Sequence, residues 1–217
     1  MTSQSKLKSQ TSRGEGKRQA ILAAAGAVFL REGFAAASMD EIAADAGVSK
    51  QTVYSHFGTK ADLFREAVTA MADGRGLRPQ QSAPDDVEAE DLESFLADYA
   101  ERQLTGSLGA EALHLSRLVM GEASRFPDLA GALHEGVPQR SISALTREIT
   151  RLVRQRLLET EDPRAAAIDF YWLIVGEPIN RALLLGDDAI PSARSIRAHA
   201  EHVAAVFVRA YGRGAAR

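Results

Sequence analysis

An all-α fold in two helical parts is what this sequence predicts, and three observations carry the prediction. Ala, Leu, Arg and Glu recur at helical spacing, and alternating β-branched or aromatic runs bounded by turn residues are nearly absent. Glycine or proline also falls where one helical run gives way to the next. The 217 residues are 45% hydrophobic and 25% charged, an ordinary globular balance in a chain long enough to bury a real core.

The elements follow in order. Thr2 to Gly16 is rich in Ser, Gln and Lys and lacks the apolar residues that would repay ordering, so residues 1–16 are expected to be a flexible basic arm. From Lys17 onward Ile21, Ala24, Ala25, Val28 and Phe29 make one apolar stripe, which stops at Gly33. Ser38-Met39-Asp40-Glu41 has the form of a capping box, with Ser38 accepting an amide bond and Glu41 reaching back. The short helix it opens buries Ile42, Ala43 and Ala46 before Gly47 permits a left-handed turn. Ser49 then caps a third helix in which Val53 and Phe57 face inward. Gly58 closes it, and Thr59 caps a fourth helix through Leu63, Phe64, Ala67, Val68 and Met71.

Residues 74–91 hold Gly, Pro, Ser and acidic residues without period, which marks a linker and a boundary between domains at 17–73 and 92–212. Further helices are expected near 92–104, 110–125, 127–136, 138–159, 163–185 and 192–211, with Pro127, Pro138, Pro163 and Pro191 near their starts. Pro178, inside the fifth of these, removes a backbone bond and is expected to kink it.

Charge and composition narrow the function. The net charge of −3 hides a division by sign: Lys6, Lys8, Arg13, Lys17 and Arg18 face only Glu15 at the front, whereas Asp85, Asp86, Glu88, Glu90, Asp91 and Glu93 crowd together after Pro84. With no cysteine, disulfides, thiolate metal sites and a cysteine nucleophile are excluded, and a reducing compartment fits. The polar, basic N-terminus is unlike a signal peptide, and no later stretch reads as a bilayer span, so a soluble, cytoplasmic protein with no membrane partner is expected. No Ser-His-Asp context, phosphate loop, dinucleotide fingerprint or paired-carboxylate setting occurs, so the chain does not read as an enzyme and implies no cofactor. His199 and His202 lie three apart on the last helix but lack a third ligand, so no metal site is assigned.

Two short helices joined by a tight glycine turn, the second exposing polar side chains, have the form of a helix-turn-helix. Small Ala43 and Ala46 allow close approach, Gly47 turns the chain, and Val48 and Val53 fix the angle, leaving Gln51, Thr52 and Ser55 free to enter a major groove. The runs from Ser38 to Ala43, Ala46 to Phe57 and Lys60 to Phe64 strongly resemble the DNA-binding region of the TetR family of transcription regulators. The stretch Leu118 to Leu129 is similar to the C-terminal domain of its AefR-like subgroup.

That resemblance implies an N-terminal three-helix helix-turn-helix DNA-binding domain and a C-terminal helical bundle that binds a ligand and dimerises. It implies a homodimer on palindromic double-stranded operator DNA, repression of transcription, and release by a small hydrophobic or amphipathic effector. Lys50, Gln51, Thr52 and Ser55 would lie nearest the bases, Tyr54, His56 and Lys60 would meet phosphates, and the capping residues Ser38 and Ser49 join the DNA-binding set. Gln51 departs from the small residue or proline common there, which makes it the leading base contact.

In the second domain His114, Arg117, Met120, His134, Trp172 and Asn180 are polar or bulky residues on otherwise apolar helices and are the candidate effector contacts. Trp172, Leu173, Ala182, Leu185, Val203, Val206, Phe207 and Ala210 offer the apolar faces of a dimer seam. A rival reading keeps the DNA head and has the body bind a protein in place of a small molecule.

Overall fold

The computed structural model describes residues 3–74 and 89–214, which are helical throughout apart from caps, turns and one isolated bridge. The expected linker lies mostly outside these residues. Ten α-helices follow one another: α1 (Ser3–Ala36), α2 (Met39–Asp45), α3 (Lys50–Phe57), α4 (Lys60–Gly74), α5 (Leu92–Ser107), α6 (Ala110–Glu122), α7 (Pro127–His134), α8 (Arg140–Arg154), α9 (Pro163–Leu185) and α10 (Ala193–Tyr211). The chain forms two compact units, and they do not divide at the linker alone. The described residues of Met1–Gly74 are joined by Arg117–Leu133, and all others form the second unit.

In the first unit α1 opens at Ser3, well before Lys17, so helix replaces the expected arm. No proline interrupts that run, and extending a formed helix is far easier than starting one. Gly33 breaks α1 with φ 77° and ψ 172°, a conformation open essentially to glycine alone. Residues Gly14–Ala36 are long and apolar enough to cross a bilayer by composition, contrary to the sequence expectation, yet the apolar stripe is spent on the core. Ile21, Ala25, Val28 and Phe29 are fully buried along with Ile42, Val53, Leu63, Phe64 and Val68.

Aromatic rings knit this core to the returning segment. The Phe64 ring lies 4.9 Å from Phe29, 4.9 Å from Phe34 and 5.2 Å from Phe126, while Phe126 also meets Phe34 edge-on at 4.9 Å. Arg65 adds an ion pair to Asp128 at 2.8 Å.

In the second unit the core is built from α5, α8, α9 and α10, with Leu96, Leu104, Ile149, Leu152, Phe170, Ile174, Ala200 and Phe207 at its centre. Asp162 caps α9 by accepting from the Arg164 and Ala165 amides at 2.9 and 3.0 Å, and Pro163 occupies the first turn as expected. Arg197 of α10 holds Asp98 and Glu101 of α5 at 2.6 and 3.0 Å, and Tyr211 donates to Asp169 of α9 at 2.6 Å.

One expected helix differs. The run at 138–159 starts in a wide π turn, Glu135–Gln139, which contains Pro138, and ends at Arg154. Arg156 then takes φ 60°, and Leu158 bridges to Gly212, tying this turn to the end of α10.

Candidate DNA-reading surface

The geometry around Gly47 follows from backbone hydrogen bonds that few sequences satisfy. Val48 N–H donates to Ala43 O at 3.0 Å and Gly47 N–H to Ala44 O at 3.1 Å, the paired bonds of a helix end whose next residue is left-handed. Gly47 takes φ 65° there, so the turn into α3 is short and fixed. Ser49 Oγ accepts from the Thr52 amide at 3.2 Å and lies 2.8 Å from Thr52 Oγ1, which starts α3 at Lys50. Val53 and Phe57 are buried, so the opposite face of this two-turn helix is turned to solvent.

The sequence-predicted residues fall into three groups. Gln51, Tyr54 and Ser55, related by three and four positions, are exposed on α3, and Gln51 and Tyr54 are bonded to no other described side chain. Ser55 Oγ donates to Thr52 O at 2.8 Å. Ser38 and Ser49 spend their hydroxyls as helix caps; Ser38 accepts from the Asp40 amide at 3.2 Å. In place of the expected return bond, Glu41 accepts a bond from Arg31 of α1, a charge-assisted contact that outweighs a neutral capping bond.

The cations are engaged. Lys50 holds Asp40 of α2 at 2.9 Å, and that hydrogen bond raises its pKa above the ordinary lysine value. Both side chains of this pair are more than half exposed, so it is a weak tether that phosphate can displace. Lys60 donates to Ala35 O at 3.1 Å and lies 4.9 Å from the centre of the Phe34 ring. Its pKa is lowered, first by desolvation and then by the nearby charge of Arg125, with Glu122 opposing. His56 is half-buried beside Phe57.

Two supports escaped sequence reasoning. Arg18 pairs with Glu66 of α4 while lying 5.3 Å from the Phe57 ring, so one α1 side chain braces both α3 and α4. Arg125 lies over Phe34 and Phe126 at 4.6 and 5.5 Å. The hydrophobic stripe of α1 marks which face is buried, but not which cation folds over it.

The six candidate effector residues are more scattered. Met120 is 61% exposed at the end of α6, and Arg117 is half-buried in the same unit. In the second unit His114, His134, Trp172 and Asn180 are exposed; His114 lies 3.3 Å from Asp187, and His134 lies 3.1 Å from Gln139. Among the described residues, the polar side chains enclosed in that unit are Gln103, Ser141, Tyr99 and Tyr171. Ser141 Oγ is buried without a hydrogen-bond partner among the described residues. Burial pushes the Tyr171 hydroxyl up to about 12 and that of Tyr99 well above the ordinary tyrosine value, Glu148 adding to the latter. A serine within a helical run gives no sequence sign that it is buried. His199 donates to Ile174 O at 3.0 Å, which makes it a packing group between α10 and α9.

Comparison with known proteins places this geometry. Residues 21–67 match the model for bacterial regulatory proteins of the tetR family, and residues 94–213 match that for the C-terminal domain of AefR-like transcriptional repressors. The HTH-type transcriptional activator FasR of Mycolicibacterium smegmatis is 50% identical over 48 residues, 22% of each chain. The DNA-binding transcriptional repressor TetR of Mycobacteroides abscessus is 43% identical over 58 residues, 27% of this chain and 30% of its own. These curated relatives are thus matched over less than a third of their length. Solved structures match nearly whole: a TetR-family transcriptional regulator from Mesorhizobium loti superposes with a TM-score of 0.84 and 31% identity over 92% of this chain and 98% of its own. The flavonoid-responsive regulator FrrA superposes with a TM-score of 0.70 and 31% identity over 90% and 97%. With a family match across more than half of its length and a fold shared over 92% of it, the chain belongs to the TetR family of transcription regulators.

Proposed function

We propose that the protein is a ligand-responsive repressor that binds a palindromic operator as a homodimer and leaves it when a small hydrophobic or amphipathic effector binds. The observation that carries this reading is the capped α2–Gly47–α3 unit, which holds Gln51, Tyr54 and Ser55 outward on a helix anchored by Val53 and Phe57. A two-turn helix of this kind reads few bases, so a second copy about one DNA turn away is needed for a specific site.

Selection of bound duplexes from a random pool, with the purified protein and no ligand, tests the reading. A recovered palindrome supports it, and no preference over competitor at low salt rejects it. On the selected operator, Gln51→Ala should cost about 1 to 3 kcal/mol at one position of each half-site and relax specificity there. Equal weakening on all sequences would reassign Gln51 to the backbone.

For the effector, the enclosed polar groups of the second unit support a site better than the six sequence candidates, five of which are exposed. An apolar interior with a few inward polar groups is the usual make-up of a small-molecule site, and a buried hydroxyl without a partner is costly unless something meets it. Ser141→Ala should therefore leave the free protein as stable as before, or more stable by about 1 kcal/mol, while reducing the thermal shift given by an effector. Planar polyphenols are suitable first probes, because FrrA is named as flavonoid-responsive. A destabilised Ser141→Ala protein with an undiminished ligand shift would remove Ser141 from the site.

A further inference from the structure

We propose that Arg125, far from the helix-turn-helix in sequence, is a ligand for a DNA backbone phosphate and acts beside Lys60. The proposal rests on the DNA-binding reading above and extends the contact surface to the segment Arg117–Leu133, which packs as part of the same unit.

The cations of this unit are not used alike. Arg18, Arg31, Lys50 and Arg65 each hold a carboxylate. Lys60 and Arg125 hold none among the described residues, and both lie on the ring of Phe34, at 4.9 and 4.6 Å from its centre. The two positive charges therefore lie within twice 4.9 Å of each other, and Arg125 helps lower the Lys60 pKa. Glu122 is close enough to oppose this, but among the described residues its carboxylate pairs with neither cation, and Asp128 is occupied by Arg65. Like charges gathered on one ring are unfavourable until an anion arrives, and a phosphodiester is the anion this surface would meet.

Geometry favours Arg125 as the second ligand. The guanidinium carbon lies over both Phe34 and Phe126, at 4.6 and 5.5 Å from their centres, and Phe126 is itself only 3% exposed, so the group rests on a fixed aromatic base. Arg125 is exposed, and a guanidinium can grip phosphate through two parallel N–H bonds. Lys60 keeps its own position by donating to Ala35 O.

The test is the salt dependence of operator affinity for the full-length protein. Each phosphate contact contributes about 0.9 to the slope of log K against log salt, so Arg125→Gln should flatten the slope by about 2 for the dimer. Arg125→Lys, which keeps the charge, should restore it, and Lys60→Gln should give a similar loss. Thermal melting of each variant separates contact from clamp. If Arg125→Gln lowers the melting temperature or the affinity but leaves the slope unchanged, Arg125 only holds the rings together and the proposal is wrong. A wild-type protein that prefers no duplex at any salt fails at the earlier step, and this proposal falls with it.

Discussion

Phe64→Ala should unfold the DNA-reading unit at temperatures where the rest of the chain is still folded. Phe64 is fully buried on α4 and its ring touches those of Phe29, Phe34 and Phe126, so its removal opens a cavity at the meeting point of α1, α4 and the returning segment. Deleting a buried phenylalanine costs about 3 to 5 kcal/mol, a large share of the stability that a unit of this size commands. Melting followed by far-ultraviolet circular dichroism should split into two transitions, with only the earlier one displaced, and operator binding should vanish before it. Phe64→Leu, which refills most of the volume, should recover much of both. A single unshifted transition for the alanine variant would mean that the ring cluster is not what holds the unit.

The second large effect belongs to α9. Its inner side, with Phe170, Ile174, Val175, Pro178 and Ala182, is buried, whereas Leu173, Glu177, Asn180 and Leu184 share the outer face, flanked by Trp172 and Leu185. Leu184 is 75% exposed and Leu185 68%, an apolar surface on a 23-residue helix that a lone protomer leaves wet. If this is the seam between two copies, Leu173→Asp with Leu184→Asp should give a monomer by sedimentation. Operator affinity should then drop by about a hundred- to ten-thousandfold, the advantage lost when two linked heads become independent. Because both positions are exposed in the protomer, the melting of the isolated chain should move little. A variant that remains dimeric would place the seam elsewhere.

Much of this was legible in the sequence, for reasons that can be named. Gly47, Ser49, Thr59, Asp162 with Pro163, and Ser192 punctuate helices by local chemistry alone, so the ends of α2, α3, α4, α9 and α10 could be read directly. Apart from the helix that runs back through the expected arm, the failures involve partners distant in the chain. Ala182, Val203 and Phe207 were expected at a seam but are buried in their own core, because helical spacing marks an apolar face without saying what covers it. The turn after Arg154 is met by a bridge from Leu158 to Gly212, more than fifty residues away in the chain. Likewise the effector candidates stand out in the sequence by chemical oddity on a helix, whereas burial of Ser141 and Tyr171 is decided by neighbouring helices.

The return of Arg117–Leu133 to the first unit bears on how such proteins can be recombined. A chimera joining residues 1–74 to a foreign body would leave Phe34 and Phe64 without the ring of Phe126, so the graft would carry a greasy scar on its reader. Exchange of specificity between relatives should thus succeed by rewriting α3 in place, or by transplanting the N-terminal piece together with the matching Arg-Phe turn.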